Sequence, residues 1–166
     1  MKPTARQAVR TAYANVGYKA GKGKRNKFAA YIDSHYPTFY NGKKQGVDYC
    51  DIFVDYCVLY NAQSASDAEY VLCQPAKSCG AGCRWSYLYY KQKHRNTSIP
   101  HYGDQVFFST GGIDGIYHTG IVYKVDNKYI WYVAANEGGG NGEVKKHKLL
   151  RTNKKIFAYG RPRYGT

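Results

Sequence analysis

A chain of 166 residues with 43% hydrophobic residues is long enough to bury its own core, and no appended module is visible. Lys and Arg outnumber Asp and Glu by 25 to 11, so the net charge of +14 favours polyanionic partners. The first residues lack the apolar stretch of a secretory signal, and no later run of residues approaches the length of a membrane span. We therefore expect one domain over residues 1–166, made in the cytoplasm.

The first half of the chain has helical periodicity. Thr4 and Gln7 form a capping-box pattern, followed by apolar residues at helical spacing up to Gly17. Residues 19–27 carry five positive charges without apolar periodicity, which predicts a loop that is either simply solvated or in contact with an anionic partner. Further helices are predicted at 26–36, from 66 onward, and at 85–94.

A cysteine lies near the predicted start of another helix. Asp48 is a good N-cap and Asp51 follows three residues later, which makes Cys50 the second helical residue. The free N–H groups and the helix dipole there favour a thiolate, while the nearby carboxylates oppose it, so a basic partner is required. The residues that continue one apolar face, which we expect to be buried, are Phe53, Cys57 and Tyr60.

The other cysteines do not predict a disulfide framework or a metal site. Five cysteines are an odd number, and Cys57 lies about 10.5 Å from Cys50 along one helix, too far for a disulfide. Cys57 is predicted to be a core residue. Cys73, Cys79 and Cys83 are crowded, but their spacing, with no fourth ligand nearby, is poor for zinc.

From Gly103 onward the apolar period changes to two. Strands are predicted at 105–108, 117–125, 129–136, 144–150 and 156–159. Helices followed by an antiparallel sheet indicate an α+β fold.

The predicted hairpin between the second and third of these strands determines which residues share a face. A two-residue turn at Asp126 and Asn127 would pair residue 118 with 135, making Glu137 the diagonal neighbour of His118 and turning Asn136 away. A three-residue turn would exchange the roles of 136 and 137. The residues expected on the His118 face of the sheet, where the Phe53 side of the helix would pack, are Val122, Trp131 and Val133.

Four sequence blocks, in order and spacing, resemble the CHAP family of cysteine- and histidine-dependent amidohydrolases/peptidases. The blocks are the aromatic-Cys-x-x-Phe-Val motif around Cys50, 103–108, 118–122, and Glu137 with Gly138. The similarity extends from about residue 18 to residue 164. The resemblance implies a papain-like fold and cleavage of amide bonds in bacterial peptidoglycan, typically by phage endolysins or bacterial autolysins.

The resemblance also implies roles for individual residues. Cys50 would be the nucleophile, with its own backbone N–H as an oxyanion donor; His118 would be the base and later acid, and Glu137 would hold the imidazole. The other histidines lie next to turns or helix ends or, as His147 does, in a lysine-rich strand. The possible supporting residues are Tyr49, Asn136 and Asn141.

Two positions depart from the family pattern. Tyr49 replaces the usual Trp before the cysteine, and Gly139 stands where an Asn is usual, with Asn141 two residues later. Some members bind calcium just ahead of the cysteine, but this chain has too few oxygen ligands there and two lysines. We expect no metal and no cofactor.

The expected function is that of a monomeric peptidoglycan hydrolase, either an N-acetylmuramoyl-L-alanine amidase or a peptide endopeptidase. It would reach the wall by phage-type lysis or specialised secretion and would meet peptidoglycan and anionic wall polymers. A basic nucleic-acid module with 19 tyrosines is one alternative, although no nucleic acid is expected because the charges are scattered. A catalytically inactive wall-binding domain is another.

Overall fold

The computed structural model covers residues 1–166 and contains five α-helices and one six-stranded antiparallel sheet, which confirms the α+β class. The helices are α1 (Ala5–Ala14), α2 (Lys27–His35), α3 (Cys50–Leu59), α4 (Ala65–Leu72) and α5 (Cys83–Gln92). The strands are β1 (Asn96–Thr97), β2 (Gln105–Ser109), β3 (Ile116–Val125), β4 (Tyr129–Glu137), β5 (Glu143–Leu150) and β6 (Ile156–Gly160). Their order in the sheet is β1-β6-β2-β3-β4-β5. None of the helices combines the length and apolarity needed to cross a bilayer.

Each predicted helix and strand is present, with ends shifted by a few residues. The capping box of α1 is confirmed: Thr4 Oγ1 accepts from the Gln7 N–H at 3.1 Å, and the Gln7 side chain accepts from the Thr4 N–H at 2.9 Å. Helix α4 begins one residue earlier than predicted because the Ser64 hydroxyl caps it by accepting from the Asp67 N–H. The predictions did not include the two-residue strand β1 or the 3-10 turns Lys22–Lys24 and Ile113–Gly115.

Helix α3 is buried on every side. All ten of its residues are buried, since α1, α2 and α4 pack around it and β3 and β4 pack beneath it. Phe53 and Cys57 are fully buried as predicted. Tyr60 lies just after the helix and is 53% exposed, so its predicted burial is wrong. A helix that is apolar around most of its circumference belongs in a core, and the one-sided prediction understated its burial.

The sheet has two different faces. One face packs against α3 and contributes Ile121, Val133, Ala135 and Val144 to the core shared with the helices. The opposite face carries a second cluster to which no helix contributes, so the strands themselves enclose it. This outer-face cluster consists of Val106, Phe108, Val122, Ile130, Tyr132, Ala134 and Tyr159.

The β3–β4 hairpin turns one residue later than predicted. The Asp126 N–H donates to the Tyr129 carbonyl at 3.1 Å, so the central residues are Asn127 and Lys128. The Asp126 carboxylate accepts from the Lys128 and Tyr129 N–H groups, at 2.8 and 2.6 Å. An aspartate that binds the backbone two and three residues ahead favours the first turn position, which explains the shift.

The register also changes within the hairpin. A bulge follows Val122 in β3, and Val122 pairs with Tyr132 rather than with Trp131. Of the three sheet residues predicted to pack against the Phe53 side of α3, two are therefore wrong. Val133 packs with Phe53 in the helix-side core, whereas Val122 lies in the outer-face cluster and Trp131 is partly exposed.

Two carboxylates are buried inside α3, and each is satisfied by hydrogen bonds. Asp51 accepts from the Ser86 hydroxyl at 2.6 Å and from the Gln105 amide at 2.7 Å. Asp55, one turn later, accepts from the Tyr40 hydroxyl at 2.6 Å and from the Gln74 amide at 3.0 Å. Burial raises the pKa of Asp51 to about 7, although the two hydrogen bonds oppose the increase.

The raised pKa of Asp51 predicts a pH-dependent stability. Between the ordinary Asp pKa of 3.8 and about 7, the folded state holds more protons than the unfolded state, so stability falls as pH rises through this window. The free energy of unfolding, measured with urea at pH 5 and at pH 8, should decrease by about 2 kcal/mol less in Asp51→Asn than in the wild type. Asp126→Asn, in an exposed turn, is the control. If the free energy of unfolding of Asp51→Asn fell with pH as much as that of the wild type, the raised pKa of Asp51 would be contradicted.

Candidate functional site

The candidate nucleophile is the first residue of α3. Tyr49 occupies the N-cap without a capping side chain, so Cys50 is the first and not the second helical residue. The predicted cap, Asp48, instead binds the Lys24 ammonium and accepts from the Asn136 side-chain amide at 3.1 Å. The carboxylate of Asp51 turns into the core and does not form the predicted capping box.

The Cys50 thiol lies near the thiol of Cys83, the first residue of α5. The Cys50 side chain is nearly enclosed, with 6% of the residue exposed. Its pKa is raised well above the ordinary value by the neighbouring Cys83 side chain, by burial and by the Asp51 carboxylate, while the Asp51 N–H opposes the increase. In this arrangement Cys50 is a neutral thiol at neutral pH.

The sequence grouped Cys83 with Cys73 and Cys79, and the structure places two of the three in one apolar cluster. Cys73 and Cys83 both belong to the apolar cluster that contains Tyr90, whereas Cys79 is half-buried, with its sulfur 3.6 Å from the Asn41 amide. Cys83 begins α5, two residues before the predicted position, and the Ser86–Asp51 hydrogen bond holds this end of α5 beside the start of α3. No sequence pattern indicated this arrangement, which depends on how two helix ends pack.

His118 and Glu137 are brought together at the edge of the outer-face cluster. His118 Nε2 lies 3.3 Å from Glu137 Oε1, and their side chains are 16% and 18% exposed. Phe108, directly paired with His118 across the sheet, stacks on the imidazole with ring centroids 5.8 Å apart. Gly120 allows β4 to approach, since a Cβ there would lie 2.7 Å from the Val133 carbonyl oxygen.

Glu137 reaches His118 by a different route from the predicted one. After the bulge in β3, regular alternation along β4 would have placed Asn136, not Glu137, on the His118 side. Asn136 adopts a left-handed conformation with φ of 62°, and the β4–β5 register shifts there. This second irregularity reverses the alternation, so Glu137 faces His118 and Asn136 turns to Asp48.

A second histidine, His147, shares the same carboxylate. His147 Nε2 lies 2.5 Å from Glu137 Oε2, and the His147 ring stacks on Tyr132 with centroids 5.1 Å apart. Burial acts to raise the pKa of Glu137, but the two histidines outweigh it and hold the pKa below its ordinary value. The lysine-rich strand around His147 gave no sign of this role in the sequence. The β4–β5 register pairs His147 with Tyr132 and so places its ring beside Glu137.

The structure does not place the Cys50 thiol and the His118 imidazole in hydrogen-bond contact. Cys50 begins a helix on one side of the sheet, and the His118 side chain lies on the other. Their backbones are nevertheless joined through buried hydrogen bonds. The Gln105 amide donates to Asp51 at 2.7 Å and to Thr119 Oγ1 at 2.9 Å, and these residues adjoin Cys50 and His118.

The three possible supporting residues hold the loop at 138–142 near the start of α3. Tyr49 is fully buried, and its hydroxyl lies so close to Gly142 that a Cβ added to this glycine would be 3.0 Å away. Asn141 Oδ1 accepts from the Lys24 N–H at 3.3 Å, and Asn136 binds Asp48. These residues position the loop, and none of these contacts involves His118.

Two depressions lie in this region, one beside the loop at 138–142 and one next to the start of α3. One, of about 220 Å³, is lined on one side by Glu137 and on the other by Lys19 and Ala20. The second, of about 400 Å³, lies between the segments that precede α3 and α5 and includes Val47, Asp48 and Trp85. Val47 and Trp85 are about half exposed, so this groove offers apolar surface next to the helix end that carries Cys50.

Comparison with known proteins leaves the family open. No family model matches the sequence, and no curated protein matches it. The crystal structure of Ly7917 aligns with 96% of this chain at 11% sequence identity and a TM-score of 0.48. The aligned chain covers 62% of that protein's chain.

The effect of Cys83 on the Cys50 pKa predicts that Cys83 suppresses the reactivity of Cys50. Cys83→Ala removes the largest contribution to the raised Cys50 pKa, so more thiolate should exist at neutral pH. We expect alkylation of Cys50 by iodoacetamide at pH 7 to accelerate at least about threefold, followed by mass spectrometry of the Cys50 peptide. Cys79→Ala is the matched control and should leave the rate unchanged. A Cys83→Ala rate equal to wild type would argue against this effect.

Proposed function

We propose that the chain is a thiol-dependent peptidoglycan hydrolase of papain-like, CHAP type, with Cys50 as nucleophile. The observation that carries this proposal is the buried Asp51–Gln105–Thr119 connection. It ties the helix end bearing Cys50 to the strand bearing a His118–Glu137 pair. A rigid connection of this kind limits how far the two candidate groups can separate.

The orientation of His118 defines its role. Its Nε2 faces Glu137, so Nδ1 is the ring nitrogen left to accept the thiol proton. Because the two side chains lie on opposite sides of the sheet, this transfer requires a movement that brings the Cys50 thiol to Nδ1 of His118. The thiolate then attacks the amide carbonyl, and the resulting oxyanion accepts from the Cys50 N–H, which as the first helical N–H has no partner within the helix.

The remaining steps return the enzyme to its starting state. Protonated His118 donates its proton to the leaving amine as the amide C–N bond breaks, which leaves a thioester on Cys50. Water then loses a proton to His118 and attacks the thioester, releasing the acid and the thiol. Glu137 stabilises the imidazolium in both steps, and His147 holds Glu137 in place.

An inactive wall-binding domain is the second candidate, and one observation favours it. Cys50 has Cys83 rather than His118 as its partner, and its thiol pKa is raised rather than lowered. A nucleophile needs the opposite shift. Under either function we propose peptidoglycan as the partner and the cell wall as the place of action.

The test of hydrolysis is digestion of purified Gram-positive sacculi. Wild-type protein should lower the turbidity and release new termini, whereas Cys50→Ser should fall to background, because a hydroxyl with a much higher pKa cannot replace the thiolate. Mass spectrometry of the products distinguishes free lactyl ends, made by an amidase, from new peptide termini, made by an endopeptidase. Cys79→Ser is the control and should retain activity. Intact sacculi with bound wild-type protein would favour the inactive domain.

The shared carboxylate predicts a role for His147 in the rate. His147→Ala should lower kcat about tenfold while the fold, followed by circular dichroism, stays intact. Loss of this hydrogen bond also raises the Glu137 pKa, so the acid limb of the pH–rate profile should move to higher pH. Lys145→Ala, two residues earlier on β5, should leave both quantities near wild type. A lower rate with an unmoved acid limb would indicate a purely structural role.

A further inference from the structure

The end of the sheet around the β3–β4 turn carries lysines interleaved with aromatic rings. This lysine–aromatic surface consists of Lys124 on β3, Lys128 in the turn, Tyr129 and Trp131 on β4, and Lys148 on β5. The three lysines are exposed, and the two rings are partly exposed. The surface is separate from the proposed catalytic residues, which lie at the opposite ends of β3 and β4.

The rings hold the ammonium groups in place. Trp131 is paired directly with Lys124 on one neighbouring strand and with Lys148 on the other. Their Nζ atoms lie 4.4 and 5.2 Å from the Trp131 centroid. Lys148 and Lys128 also lie 4.1 and 5.6 Å from the Tyr129 centroid. Cation–π contacts of this kind restrict long side chains that would otherwise sample many rotamers.

The positive charge of this surface is only partly offset within the chain, by Asp126, whose pKa is lowered by backbone N–H groups of the turn and also by Lys148 and Lys124. None of its three lysines lies within 4.0 Å of a carboxylate, whereas Lys24 and Lys145 elsewhere do. The nearby Asp126 directs its carboxylate to backbone N–H groups of the turn. Arg151 adds a further positive charge, with its guanidinium donating to the Asp126 carbonyl at 2.8 Å. The surface therefore presents several fixed cations to an external anion.

Protection of the sheet edge does not account for the whole surface. β5 is an edge strand, and lysines on edge strands oppose pairing with another chain. That role would explain Lys148. It does not explain Lys124, which lies on the internal strand β3, or the tryptophan held between the two lysines.

We infer that the lysine–aromatic surface binds a linear polyanion whose phosphates are joined by non-aromatic units, as in the polyol-phosphate polymers of Gram-positive walls. The choice of a wall polymer rests on the proposed function. Single-stranded nucleic acids are held by stacking bases on free aromatic faces. Here lysines lie over both rings, so the surface is suited to phosphates and not to bases.

The test compares two double variants of equal charge. Lys124→Gln/Lys148→Gln removes two cations from the surface, and Lys91→Gln/Lys93→Gln removes two exposed cations at the end of α5, which packs at the other edge of the sheet. Binding of fluorescently labelled poly(glycerol phosphate) is measured by anisotropy over a salt series. The first variant should bind at least about fivefold more weakly at low salt, with a shallower salt dependence, while the second stays within about twofold of wild type.

Two further measurements decide between ligands. Trp131→Leu, which keeps every charge, should also weaken binding of the polymer because the lysines lose their support. Single-stranded DNA with the same number of phosphates should bind more weakly than the polymer. Equal losses in the two double variants, or tighter binding of the DNA that depends on Trp131, would overturn the inference. Binding is measured without turnover, so an inactive enzyme in the sacculus assay would leave this result unaffected.

Discussion

The burial of α3 depends on satisfying two carboxylates that have no contact with water. An ionised or protonated carboxyl group without hydrogen-bond partners inside a protein costs several kcal/mol, so Asp51 and Asp55 need the groups that surround them. Those groups come from four segments of the chain, through Tyr40, Gln74, Ser86 and Gln105. The helix that carries Cys50 is therefore fixed in position by polar contacts and by apolar packing together.

This network also explains how distant parts of the chain meet at the candidate site. Ser86 belongs to α5, so its bond to Asp51 brings the start of α5, and with it Cys83, against the start of α3. Gln105 begins β2 and connects the same carboxylate to β3. The identity of the Cys50 partner is thus a consequence of core packing rather than of local sequence.

The sequence was sufficient for the class of fold and for the positions of the elements, because helices and strands differ in apolar period. The alternation of apolar residues could not show where the sheet is irregular. The bulge after Val122 and the left-handed Asn136 each shift the register by one residue, and neither interrupts a hydrophobic pattern. Glu137 was matched with His118 from a register that the structure does not have.

The same limits apply to the residues of the site. Cys50, His118 and Glu137 could be proposed as candidates because their motifs are local, whereas the positions of Cys83 and His147 beside them depend on tertiary packing and strand register. His147 lies among lysines that face outward, and only its pairing with Tyr132 shows that its ring turns to the same side as Glu137.

The absence of a side chain at Gly120 restricts how this hairpin can diverge over evolutionary time. A methyl group there would collide with the Val133 carbonyl oxygen and the Tyr132 ring, both on β4. Making room would move β4, and Glu137 at its end would move with it. Acceptable replacements at position 120 therefore require simultaneous change in the neighbouring strand, so the two strands are constrained to evolve as one unit.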